Sequence, residues 1–123
     1  MDEIRELDLK ALSEELAIEI SELRDLFSEY LNEMDEDMAY IMEMLQKEQW
    51  DMLQRAVHNV KGVSSNLCLY RMTEAVAELD RLLKSDKTEA AGKHAENIAD
   101  TYNETKKDII DAFKGYSLSF NNR

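Results

Sequence analysis

No proline interrupts this 123-residue chain, so no helix in it faces a forced break. The single cysteine, Cys68, excludes an intramolecular disulfide, and no Cys/His cluster has zinc-ligand spacing. No stretch approaches the ~18 apolar residues that span a bilayer. The N-terminus, Met1-Asp2-Glu3-Ile4-Arg5, lacks the basic and apolar regions of a signal peptide, so a reducing cytoplasm is the expected location. Basic residues are outnumbered, 15 against 27 acidic ones, for a net charge of −12. That balance argues against nucleic acid and against anionic membrane surfaces as partners. No nucleotide-binding motif is present, so no ATP site is expected. Glycine is scarce, at positions 62, 92 and 115 only.

What is present is an amphipathic helical pattern. Hydrophobic content of 44% beside 34% charged residues suits a bundle with one core. Residues 1–9 read as a charged arm, 10–115 as one domain, and 116–123 as a tail without periodicity. A short first helix is expected over Lys10 to Ile18. Ser21 can cap a second helix reaching about Gln46, with Leu23, Leu26, Phe27, Tyr30, Leu31, Met34, Met38, Ile41, Met42 and Leu45 facing inward. A third begins near Trp50 and ends near Leu67. A fourth begins near Tyr70, with Met72, Val76, Leu79 and Leu83 inward. After the polar break Ser85-Asp86-Lys87, a last helix runs from Thr88 to Lys114 and ends on Gly115, a residue suited to a left-handed helix terminus. Short connections imply antiparallel neighbours. The expected fold is therefore all-α: an up-down antiparallel four-helix bundle with a short additional N-terminal helix. Such a bundle can bury its stripes internally, so a monomer is expected.

The third helix carries the most informative residues. At ~100° per residue, Leu53, Ala56, Val57, Val60, Ser64 and Leu67 share one arc. Asp51, Gln54, Arg55, His58, Lys61, Gly62 and Ser65 lie on the opposite arc. His58 is thus an outward residue, not a core one. A glycine inside a helix costs about 1 kcal/mol relative to alanine. Gly62 is tolerable there if something approaches the backbone closely. A neutral imidazole with a lysine one turn on, beside a residue without a side chain, is what a phosphorylatable histidine on a docking face needs.

The segment His58-Asn59-Val60-Lys61-Gly62-Val63-Ser64-Ser65-Asn66-Leu67-Cys68 resembles the signature of the histidine-containing phosphotransfer (HPt) family. That pattern is His, two residues, Lys, Gly, one residue, a small residue, two residues, Leu, then often Gly. Cys68 departs from it at the last position. Helix number and order agree with the family over roughly residues 10 to 115. The resemblance implies a carrier that takes a phosphoryl group from one receiver-domain aspartate onto the distal nitrogen of His58 and passes it to another. Its partners would be receiver domains of response regulators or hybrid histidine kinases. The chain itself would need no cofactor, and Mg²⁺ would sit in the receiver's acidic pocket.

Lys61 then supplies positive charge, Gly62 clearance, and Arg55 further positive charge. Ser65 is placed to touch the phosphoryl group. Many relatives hydrogen-bond the histidine's other nitrogen from the following helix, and without gaps that position is Asp80. Its carboxylate would orient the ring, or it is a solvated group paired with Lys84. His94 reads as a surface residue, Ser64 as a small packing residue, and the methionines as core fillers. The rival reading is a non-catalytic helical interaction module, an HPt-like fold without phosphotransfer. The phosphoacceptor domain of a chemotaxis-type kinase would share the fold and is the less expected variant. Two histidines far apart disfavour a metal or haem bundle.

Overall fold

A computed structural model describes residues 7–116. The expected arm residues 1–6 and tail residues 117–123 lie outside that range. Among the described residues there are five helices and no strand: α1 (Leu9–Leu16), α2 (Ile20–Gln46), α3 (Trp50–Asn66), α4 (Tyr70–Lys84) and α5 (Thr88–Lys114). Each is amphipathic, and most of its stability comes from burying one stripe, not from propensity alone.

Helices α2 to α5 form a ring. Each packs on its neighbour in the chain, and α2 closes the ring against α5. Tyr102 on α5 donates to the Leu31 carbonyl at 3.3 Å and to Asp35 at 2.8 Å, both on α2. Phe27 and Phe113 meet edge to face with centroids 5.6 Å apart, joining the same two helices. Helix α1 lies against α2, and Leu9 and Leu12 enter the core together with Leu7.

Helix starts differ from the sequence reading. Helix α1 begins at Leu9 because Asp8 caps it, its carboxylate accepting from the Ala11 N–H at 3.1 Å. Helix α2 begins at Ile20 and not after Ser21. Glu19 is its N-cap, and its N–H donates to the Glu22 carboxylate at 2.9 Å. Two acidic residues three apart satisfy the orphan donors that a serine was expected to meet. The α2 stripe also shifts. Leu26 is exposed and Met42 and Leu45 are half-buried, whereas Met44 is buried. On α3, Ala56 is half-buried, as is Leu67 just beyond its end.

All four connections are three residues long and close by one backbone pattern. After α2, the Glu48 N–H donates to the Leu45 carbonyl at 3.1 Å and the Gln49 N–H to the Met44 carbonyl at 2.9 Å. Cys68 and Leu69 repeat this after α3, and Asp86 and Lys87 after α4. Ala17 and Ile18 do the same after α1. This is the Schellman termination, whose left-handed residue is usually glycine. Here Ala17, Glu48, Cys68 and Asp86 hold φ of 58°, 55°, 59° and 59°. Gly115 does not have the left-handed role expected of it. Its φ is −62°, because the chain continues one right-handed turn to Tyr116.

Candidate functional site

Helix α3 turns Leu53, Val57, Val60 and Ser64 fully inward. The Tyr30 and Ser64 hydroxyls share a hydrogen bond of 2.9 Å, which ties α2 to α3 inside the core. That anchoring fixes the rotation of α3 and leaves the His58 side chain 63% exposed.

On the side of α3 that faces α4, three residues converge on one carboxylate. Asp80 is 2% exposed. Gln54, one turn before His58, donates from Nε2 to Asp80 Oδ1 at 3.1 Å. Lys61, one turn after, donates from Nζ to Oδ2 at 3.2 Å. Lys84, one turn along α4, also reaches Oδ2 at 3.2 Å. His58 Nδ1 lies 3.7 Å from the same oxygen, beyond hydrogen-bond length but within range of a charge–dipole contact. Burial pushes the Asp80 carboxyl pKa up. The hydrogen bonds from Gln54, Lys61 and Lys84, with the Lys84 charge, outweigh it and hold the group below its ordinary value. Asp80 is therefore an anion at neutral pH. It is not the solvated carboxylate of the alternative reading, although its pairing with Lys84 is present.

The chemical consequence concerns the ring. A carboxylate beside Nδ1 favours the tautomer with its proton there. Nε2, across the ring from Nδ1, then keeps its lone pair. Gly62 lies one turn on from His58, and a Cβ placed on it meets nothing within 4 Å. Arg55 and Ser65 share this exposed face, and neither side chain makes a hydrogen bond or ion pair among the described residues.

Lys61, read from the sequence as a source of positive charge, is half-buried against Asp80. Gln54, to which the sequence reading gave no role, reaches this carboxylate, as does Lys84, which that reading gave only as a partner of Asp80. The spacing carried a signal for Gln54, because Gln54, His58 and Lys61 stand four and three residues apart on one stripe. His94 departs from its surface reading. Its ring is half-buried, with Nε2 2.9 Å from the Ala75 carbonyl, so it links α5 to α4 far from His58 in sequence. Among the described residues no group of three or more His, Cys, Asp or Glu side chains is placed to hold a metal. No helix among them is long and apolar enough to cross a membrane.

Comparison with protein families gives a match to the Hpt domain over residues 25–111, which contains His58, Lys61, Gly62 and Asp80. Comparison with curated proteins and with solved structures gives no match.

Proposed function

The chain belongs to the Hpt domain family, and from that premise we propose that it carries a phosphoryl group on His58 between receiver-domain aspartates of a phosphorelay. The family transfers phosphoryl groups on histidine in phosphorelays. The observation that carries the residue assignment is the pairing of an exposed ring with a buried carboxylate on its Nδ1 side.

The step follows from that geometry. The Nε2 lone pair attacks the phosphorus of a receiver's aspartyl phosphate. The P–N bond forms as the P–O bond to the aspartate breaks, and the bonding pair leaves on the receiver's carboxylate. No proton has to move, because Nδ1 keeps its own. The ring becomes a phosphoimidazolium, and Asp80 stabilises its charge. Lys61 offsets the phosphoryl charge from its tether on Asp80, with Arg55 adding positive charge on the same face. Ser65 is a candidate hydrogen-bond donor to the phosphoryl oxygens. Gly62 leaves space for the receiver's active site to close over the ring. Mg²⁺ comes with the receiver's acidic pocket and not with this chain. Regeneration is the reverse reaction with a second receiver, so the protein is a carrier and not an enzyme. It works as a cytoplasmic monomer.

Incubation with a phosphorylated receiver tests the reading. The wild type should take up acid-labile, alkali-stable label. His58→Gln should take up none, while its stability changes by under ~0.5 kcal/mol, as for other exposed positions. Full labelling of His58→Gln would refute the assignment, and label on His94 would move it there. An unlabelled wild type would leave docking as the role of this face.

A further inference from the structure

Asp80 Oδ2 is a crowded atom. Two ammonium groups and one ring nitrogen address it, while the neutral amide of Gln54 occupies Oδ1. Because α3 and α4 run antiparallel, Lys61 and Lys84 come to this oxygen from opposite ends of the site. The charges do not balance in the free protein: two ammonium ions face one carboxylate. A phosphoryl group adds about two negative charges at neutral pH. The surplus cation is therefore matched to the phosphorylated state, not to the resting one.

The two lysines are not equivalent. Lys61 is 31% exposed and Lys84 54% exposed. A buried carboxylate stripped of its partners is costly, so one lysine must stay on Asp80. The less exposed one is already desolvated there. The more exposed one sits on a flexible four-carbon stem and moves at little cost. Resting on the carrier reading above, we infer that Lys84 is a second phosphoryl-binding cation: it rests on Asp80 in the free protein and exchanges to a phosphoryl oxygen once His58 is charged, while Lys61 keeps Asp80 paired. Its departure clears Oδ2 on one side. The Nδ1–H can then close its 3.7 Å gap to a hydrogen bond when the ring is positive.

The test is the partition of label between receiver and carrier at equilibrium, at low and high salt. Partition reports the stability of the phosphorylated state and does not depend on docking rate, so a mere steering role leaves it unmoved. Lys84→Gln should shift the partition toward the receiver by about fivefold at low salt, the size expected for one half-exposed charge. The shift should narrow as salt rises. Lys84→Arg should restore the wild-type partition within about twofold, since it keeps the charge. The unphosphorylated Lys84→Gln protein should melt close to wild type, because Lys61 and Gln54 still hold Asp80. The ³¹P shift of the phosphohistidine should differ between wild type and Lys84→Gln. Equal partition and an equal ³¹P shift would overturn the exchange while leaving the carrier reading intact. A wild type that takes no label would sink both.

Discussion

Gly62 stands in open space, so the free chain gives no steric reason for its lack of a side chain. Two roles remain, and they give opposite outcomes. As a mere helix defect, Gly62→Ala should stabilise by roughly 0.5–1 kcal/mol and leave transfer intact. As clearance for a partner, a larger residue should hurt transfer while stability holds or rises. The second outcome is expected. Gly62→Gln should melt no lower than wild type but accept phosphate at least ~10-fold more slowly, about 1.4 kcal/mol at the transition state. Lys61→Ala should also slow acceptance, through charge, so salt should narrow its defect and leave that of Gly62→Gln in place. Wild-type rates for Gly62→Gln would mean that no partner closes over this face. Residues of this kind were legible because a wheel separates inward from outward positions on one helix. His58 and Gly62 needed nothing more. Asp80 was placed only by counting along the family pattern, and its burial was not legible. It lies beside Leu79 at a helix flank, where the neighbouring helix decides between solvent and interior. Lys61 and Gln54 turned to Asp80 for the same reason.

At the scale of elements, the interior of each helix was easier to read than its ends. Helix α5 runs from Thr88 to Lys114 as its periodicity predicts, since apolar residues recur without conflict to the last turn. The starts of α1 and α2 depended on caps, and acidic residues supplied both. The ends depended on left-handed residues, and the usual marker was absent. A reader looking for glycine finds Gly115, which is right-handed, and overlooks Glu48, Cys68 and Asp86. Three-residue connections between long helices force the left-handed residue whatever its side chain. A non-glycine residue there costs roughly 1–2 kcal/mol, and glycine returns part of the gain as unfolded-chain entropy. Glu48→Gly should therefore stabilise by about 0.5–1 kcal/mol in urea denaturation, with the slope unchanged. Glu48 is exposed, so no packing is lost. Glu48→Ala removes the same charge but keeps the strain, and it should gain clearly less. Equal gains for the two variants would assign the effect to charge and not to backbone.

At the scale of the molecule, a net charge of −12 sets two effects of salt against each other. Screening weakens attractive ion pairs, and it weakens self-repulsion. The attractive pairs are mostly at the surface: Arg24 with Asp25, Lys47 with Glu43, Arg81 with Glu78, and Arg71 with Glu104 and Asp108. Pairs of this kind contribute about 0–1 kcal/mol each, and many contribute nothing measurable. Repulsion has a local trace on α2. Burial, then Glu33 and Glu36, push the Asp37 carboxyl pKa above its ordinary value. Its folded pKa thus lies above the unfolded one, so ionising it on the way to neutral pH lowers stability. The Asp80 cluster is half-sheltered and responds less to salt than exposed charges do. Repulsion should therefore win. Raising sodium chloride from about 20 mM to about 200 mM at pH 7, across the range where the Debye length falls to protein dimensions, should raise the Tm by a few degrees. A differential scanning calorimetry series reads this directly. A Tm that falls with salt would mean that the surface pairs hold the bundle together more than its excess acidity pushes it apart.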